Sequence, residues 1–153
     1  MTIDTGDAAP AFTLLDDEGA EVSLSDFSGK RLILYFYPKA FTPGCTTEAC
    51  DFRDAHEPFA AAGYAIAGVS PDAVKMLARF RDKHGLPFPL LSDPDHAVAI
   101  AYGAWGTKKN YGREYEGMIR STFVIGPDGR IEKAWRNIKA RGHAERLVND
   151  LTA

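Results

Sequence analysis

From Arg31 to Tyr37 the chain runs Arg-Leu-Ile-Leu-Tyr-Phe-Tyr, one charge followed by six apolar or aromatic residues. A strand with one wet face alternates polar with apolar residues, so a run without alternation belongs to a strand buried on both faces. Such a strand needs cover above and below, which points to a layered α/β fold. Tyr64 to Val69, rich in alanine and β-branched residues, is a second run of the same kind. Between them Thr42 is a good N-cap and Pro43 suits the first helical position, so a helix is expected from Thr42 to about Ala62.

The flanking segments extend this pattern. Phe12 to Leu15 and Glu21 to Leu24 predict a short hairpin around Asp16-Asp17-Glu18-Gly19. Ser70-Pro71 offers an N-cap followed by proline and opens a helix to about His84, with Gly85 as its stop. Pro87 to Leu91 is expected to be a short edge strand, because its prolines exclude a central position. Asp93-Pro94-Asp95 starts a short helix through Tyr102. The Gly-, Lys- and Tyr-rich stretch from Trp105 to Glu116 is expected to be a loop. Met118 to Ile125, the turn Pro127-Asp128-Gly129 and Arg130 to Trp135 predict a hairpin. A last helix spans about His143 to Leu151. The sum is a central mixed β-sheet flanked by helices, in a single domain covering residues 1–153. Open α/β sheets bind ligands beyond the carboxyl ends of their strands, and the segment after Tyr37 lies there.

That segment holds the only two cysteines of the chain, Cys45 and Cys50. Cys45 falls at the third helical position, near unpaired backbone N–H groups that favour an anion. Lowering a free cysteine from about 8.5 to about 6 takes roughly 3.4 kcal/mol. A helix N-terminus supplies about 0.3–1 kcal/mol, and about 2 at best. A nearby cation is therefore required, and Arg120 is the candidate. An arginine in the apolar run Met118-Ile119-Arg120-Ser121-Thr122-Phe123 is costly without a partner; the alternative is that it faces solvent from an edge strand.

Five residues along a helix separate two Cα atoms by about 8.7 Å, beyond the roughly 7 Å that a disulfide allows. Cys45 and Cys50 therefore cannot bond while the helix is intact, and a disulfide between them requires the first turns to unwind. Zinc binding by Cys45, Cys50 and His56 fits no usual ligand spacing and lacks a fourth ligand. The glycine and prolines around Cys45 suggest an exposed, shaped loop.

Net charge is −3, from 18 basic and 21 acidic residues, which argues against nucleic-acid partners. Lys108-Lys109 is expected to be a solvated loop. No apolar stretch approaches the ~20 residues of a membrane helix. The first residues have neither a basic region nor an apolar core, so a cytoplasmic location is the expectation. In a reducing compartment, two cysteines are reactive or buried more often than a structural staple.

Pro38-x₃-Thr42-x₂-Cys45 resembles the active-site motif P-x-x-x-(T/S)-x-x-C of the peroxiredoxins. The longer run from Tyr35 through Pro38-Lys39, Thr42-Pro43-Gly44-Cys45-Thr46-Thr47-Glu48-Ala49-Cys50 and Phe52-Arg53-Asp54 is similar to the bacterioferritin-comigratory, or Q-type, subfamily. Leu90 to His96, Ala101-Tyr102-Gly103, Trp105-Gly106 and Arg120 to Ile125 also fit, so the likeness covers almost the whole chain. It diverges mildly at Phe41 and in the C-terminal helix.

The resemblance implies a thioredoxin-like fold and thiol-dependent peroxidase activity on hydroperoxides, with no metal or organic cofactor. It assigns Cys45 as the peroxidatic cysteine and Cys50 as the resolving one, joined in an intramolecular disulfide. Thr42 and Arg120 would position the peroxide and stabilise the thiolate, and Pro38 would shield the sulfur. Thioredoxin or a similar dithiol would be the reductant. A monomer is expected, since a resolving thiol in the same chain needs no second subunit. A non-catalytic redox sensor on the same fold is the alternative, and only turnover with a reductant separates the two. A disulfide reductase fits less well, because C-x₄-C is not the C-x-x-C redox pair.

Four further features carry two readings each or a bland one. Glu48 and Arg53 either form a surface pair or orient the active site. Trp105 and Tyr111 either line a docking face or pack within a loop. His56, His84, His96 and His143 have the character of surface or helix-end histidines. Phe12, Phe36, Phe80 and Phe123 are expected in the core.

Overall fold

The computed structural model describes residues 4–110, 112–136 and 138–152. Its main sheet has the order β2-β1-β5-β4-β3-β8-β9. The strands are β1 (Thr13–Asp16), β2 (Glu21–Ser23), β3 (Arg31–Phe36), β4 (Tyr64–Ser70), β5 (Leu90–Ser92), β8 (Ser121–Ile125) and β9 (Ile131–Arg136). Two more, β6 (Trp105–Asn110) and β7 (Arg113–Met118), form a separate ribbon. The helices are α1 (Pro43–Ala61), α2 (Val74–His84), α3 (Ala97–Ala101) and α4 (His143–Thr152).

Strand β3 shows why its sequence lacks alternation. It pairs in parallel with β4 and antiparallel with β8, so it is central. Ile33, Tyr35 and Tyr37 point into one core with Ala49, Phe52, Phe59, Leu77, Phe80 and Leu147, beneath α1, α2 and α4. Leu32, Leu34 and Phe36 point into the other with Phe12, Ala99, Tyr102 and Phe123. Both faces are dry, as a period-2 strand between two helical layers requires. The mixed sheet with helices on both faces agrees with the expected fold, and so does the late β8–β9 hairpin.

Several segments depart from expectation. Trp105 to Glu116 is not a loop: Trp105 pairs with Met118 and Lys108 with Tyr115 across a hairpin whose turn includes Gly112 at φ +76°. Trp105–Asn110 and Arg113–Met118 have no regular apolar–polar alternation, so the pairing leaves no strand signal in the sequence. Met118 to Ile125 is not one strand, because Ile119 and Arg120 form a break between β7 and β8. Strand β5 is internal, between β1 and β4; Pro87 and Pro89 precede it and so cost no ladder bond. Ser70 ends β4 instead of capping α2, whose N-cap is Ala73. The Ser70 hydroxyl bonds to Asp72 within the connecting turn. Gly85 does end α2, in the left-handed conformation expected of a C-terminal glycine. Phe12, Phe36, Phe80 and Phe123 are buried as expected. Among the described residues, no helix is long and apolar enough to cross a membrane.

Candidate active site

The site forms where β3 hands the chain to α1. The Tyr37 N–H donates to Val69 O at 3.0 Å, the last tie to the sheet. Pro38, half-buried, then lifts the chain away. The Ala40 N–H donates to Asp72 Oδ2 at 2.7 Å, and the Ser70 hydroxyl donates to the same oxygen at 2.8 Å. Phe41 takes φ +66°, a region uncommon for any residue but glycine. Thr42 occupies the N-cap of α1, but its hydroxyl donates back to Lys39 O at 2.8 Å and does not cap the helix. Pro43 has no N–H, and the Thr46 N–H reaches Thr42 O. The Gly44 and Cys45 N–H groups thus remain without an intrahelical acceptor at the positive end of a 19-residue helix.

Cys45 stands at the third helical position, as expected, but it is not on an exposed loop. It is 1 % exposed and belongs to the core cluster of Tyr35, Tyr37, Ala40 and Ala49. The loop turns outward, and the first turn of α1 directs the sulfur inward. Arg120 Nη2 donates to Cys45 Sγ at 3.3 Å, and Nη1 donates to Glu48 Oε1 at 2.6 Å. Arg120 reaches this place because Ser121, the next residue, pairs with Phe36 at the carboxyl end of β3. Gly44 makes room for it: a Cβ there would lie 3.2 Å from Arg120 Nη2. The solvent-facing alternative for Arg120 does not hold, since its side chain is only 15 % exposed.

Charge is concentrated in this pocket. Burial pushes the Glu48 carboxyl up to about 7, against the opposing pull of Arg120. Burial also works against the Arg120 guanidinium, but Glu48 and Cys45 outweigh it and hold its proton more tightly than usual. Lys108 Nζ donates to Met118 O at 2.8 Å; its pKa is lowered by burial and by Arg120, with Cys45 partly offsetting them. Burial raises the Tyr35 phenol well above its ordinary value, with Tyr37, Glu48 and Cys45 adding to the effect. Among the described residues, Glu48 Oε2 and the Tyr35 hydroxyl have no hydrogen-bond partner.

Cys50 lies further along α1 and is half-buried, with its Sγ 3.8 Å from His84 Nδ1. Both cysteines are free thiols on one continuous helix. Helical geometry keeps their Cα atoms about 8.7 Å apart. His56 does not join them: among the described residues no group of three His, Cys, Asp or Glu side chains is arranged to hold a metal.

Cys45 and Arg120 therefore meet beyond the end of β3, with Pro38 and Thr42 in the segment that leads into α1, and Cys50 stands apart toward α2. Of the two readings of Glu48, the surface pair with Arg53 does not hold: Glu48 is fully buried against Arg120. Arg53 turns to Asp54 at 3.0 Å and to the carbonyl of His84 at 2.8 Å. The signal for Glu48 was present, since a residue three positions after Cys45 shares its helix face. His143 is buried and not at the surface; its Nε2 lies 2.9 Å from Thr122 Oγ1. Lys108 is half-buried in β6, not solvated. Asp72, the anchor of the loop, carried no motif that pointed to it. Trp105 stacks on His96 with ring centroids 3.8 Å apart, and Tyr111 lies outside the described residues.

Known proteins resemble this chain in sequence and in fold. Residues 5–134 match the AhpC/TSA family. A putative peroxiredoxin of Mycobacterium tuberculosis is 56% identical over 147 residues, covering 96% of this chain and 94% of that protein. Peroxiredoxin Bcp of Bacillus subtilis is 51% identical over 151 residues, covering 99% and 96%. Among solved structures, the bacterioferritin comigratory protein of Xanthomonas campestris, described for its alkyl peroxide reduction activity, superposes with a TM-score of 0.86. It is 41% identical, over 92% of this chain and 89% of that one. A matched family model and relatives alike along nearly their whole length leave one assignment: the chain belongs to the AhpC/TSA family, in its Bcp or Q-type peroxiredoxin branch.

Proposed function

We propose that the protein is a thiol-dependent peroxidase that reduces hydrogen peroxide and organic hydroperoxides through Cys45. The observation that carries this reading is the 3.3 Å contact from Arg120 Nη2 to Cys45 Sγ at the start of α1. A guanidinium and a helix N-terminus together favour an anionic sulfur, and the thiolate is the nucleophile. It attacks one peroxide oxygen, the O–O bond breaks, and the other oxygen leaves as water or alcohol once protonated. Cys45 becomes a sulfenic acid. Arg120 and the Gly44 and Cys45 N–H groups offset charge on the departing oxygen. The Thr42 hydroxyl already donates to Lys39 O, so its oxygen is free to accept a hydrogen bond from the peroxide. Pro38 shields the sulfur from bulk water.

The first turns of α1 then unwind, Cys50 attacks the sulfenic sulfur, and an intramolecular disulfide forms with loss of water. Thioredoxin or a similar dithiol returns both cysteines to thiols. In this reading the protein works as a monomer in the cytoplasm, because its resolving thiol comes from its own chain. Peroxide consumption with a thioredoxin system tests the cycle. Cys45→Ser is expected to abolish it, and full turnover by that variant would end the proposal. Cys50→Ser is expected to keep one round of Cys45 oxidation but turn over poorly; unimpaired turnover would remove Cys50 from the resolving role.

A further inference from the structure

Among the described residues, Cys50 Sγ has one side-chain partner at hydrogen-bond range, His84 Nδ1 at 3.8 Å. We infer that His84 is a catalytic residue of the resolving step, the base that takes the thiol proton of Cys50. The inference rests on the peroxidase reading and adds a residue to it.

Three observations support it. First, the imidazole is held in place. Its ring packs edge-on against Phe80, with centroids 5.2 Å apart, and tilts toward Phe41 at 6.3 Å. The main chain behind it is fixed by Arg53, whose Nη1 donates to His84 O at 2.8 Å. Second, His84 closes α2, and the C-terminal end of a helix favours a cation, the form reached after taking a proton. Third, the contact survives the motion the chemistry needs. Bringing Cys45 to Cys50 requires residues 43–49 to leave the helix, whereas Cys50 onward need not move. Arg53, one turn further on, ties this part of α1 to the end of α2. The pair Cys50–His84 thus stays assembled while Cys45 swings toward it.

The imidazole, protonated at Nε2, accepts the Cys50 S–H proton at Nδ1. The Cys50 sulfur donates its electron pair to the Cys45 sulfur, the S–S bond forms and the S–O bond breaks. The oxygen leaves as water with a proton from solvent, and His84 returns its own proton to solvent. Cys50 is oxidised, and the sulfenic sulfur of Cys45 is reduced to the disulfide level. A free thiol is about 3 % thiolate at pH 7, so removing its proton beforehand is worth at most about thirtyfold.

Rapid-quench alkylation and mass spectrometry of the full chain, after mixing with excess hydrogen peroxide, separate peroxide-dependent sulfenate formation from peroxide-independent disulfide formation. His84→Phe keeps a packing ring without a base, and His84→Gln keeps a polar group without one. Both are expected to slow disulfide formation about tenfold, while the sulfenate accumulates and passes to sulfinic acid at lower peroxide. Added imidazole is expected to restore the rate in His84→Ala, which a purely structural loss would not allow. Disulfide formation at the wild-type rate in His84→Phe or His84→Gln, or no rescue of His84→Ala, would overturn the assignment. Absence of the peroxide-dependent phase in the wild type would instead overturn the peroxidase reading.

Discussion

Two buried groups are displaced in opposite directions, and their combined effect on stability can be worked out. Glu48 has a folded value of about 7 against an ordinary 4.5, because it is buried. His143 has a folded value of about 4 against 6.5, chiefly through burial, with Arg146 and Arg120 adding to it. Between pH 4.5 and 7 the folded state binds the Glu48 proton and the unfolded state does not, so stability falls as pH rises. Between pH 4 and 6.5 the unfolded state binds the His143 proton and the folded state does not, so stability rises with pH. Each proton is worth about 1.36 kcal/mol per pH unit. Across the shared window, from 4.5 to 6.5, the two slopes cancel. Glu48→Gln should remove one side, so that stability rises by about 2–3 kcal/mol from pH 4.5 to 6.5 relative to wild type. His143→Gln, which can still bond to Thr122, should fall by a similar amount, and the double variant should return to the wild-type slope. Urea unfolding at half-unit pH steps reads this directly, with differences from wild type cancelling the surface carboxylates. Single variants that both keep the wild-type slope would refute the reasoning.

Arg120 serves Glu48 and Cys45 with two nitrogens of one planar group, which a lysine cannot do. Arg120→Lys should lower the second-order rate of Cys45 oxidation by tenfold or more, measured by stopped flow; an unchanged rate would show that only its charge matters. Asp72 Oδ2 accepts from both Ala40 N and Ser70 Oγ. Asp72→Ala should cost about 1–3 kcal/mol and raise amide exchange at Ala40, as expected when a half-buried N–H loses its acceptor.

What the chain disclosed in advance follows from how local each signal is. The buried strands were legible because a run without alternation leaves them one environment. The start of α1 was legible because Thr42-Pro43 is a short-range signal, and so was the Gly85 stop. Position Cys45 on that helix and its neighbours along one face follow, Glu48 included; its partner Arg120 lies in a distant element and leaves no mark in local spacing. Arg120 was found through its cost in an apolar run, although the break at Ile119-Arg120 was not visible there. The β6–β7 ribbon was not legible because neither of its strands regularly alternates apolar with polar residues. Contacts between distant elements, such as Cys50 with His84 and Ala40 with Asp72, leave no mark in a single sequence. They arise from the order of strands in the sheet, which places the ends of α2 and β4 beside α1.

The most consequential of these relations is between Glu48 and the cysteines on either side of it. A disulfide needs the turn between 45 and 50 to open, and the start of α1 is built to open. Its N-cap hydroxyl is turned away, its second residue is glycine, and it has no acidic residue in its first turn. The guanidinium of Arg120, bonded to Cys45 and Glu48 at once, holds it closed. In the proposed cycle the attacking thiolate becomes a neutral sulfenic acid, so one of those two bonds is weakened by the reaction itself. The other joins Arg120 to a carboxylate that burial disfavours. Unwinding returns Glu48 to water, where it ionises from about pH 4.5 upward, so that release favours the open form increasingly with pH and fully above pH 7. Glu48→Gln, a neutral side chain at the same place, removes this push. Amide exchange across residues 44–50 of the oxidised form should then be slower than in wild type at pH 8 and similar at pH 4, where the acid is protonated in both the closed and the open form. Equal exchange at both pH values would mean that the helix opens without the help of its buried acid.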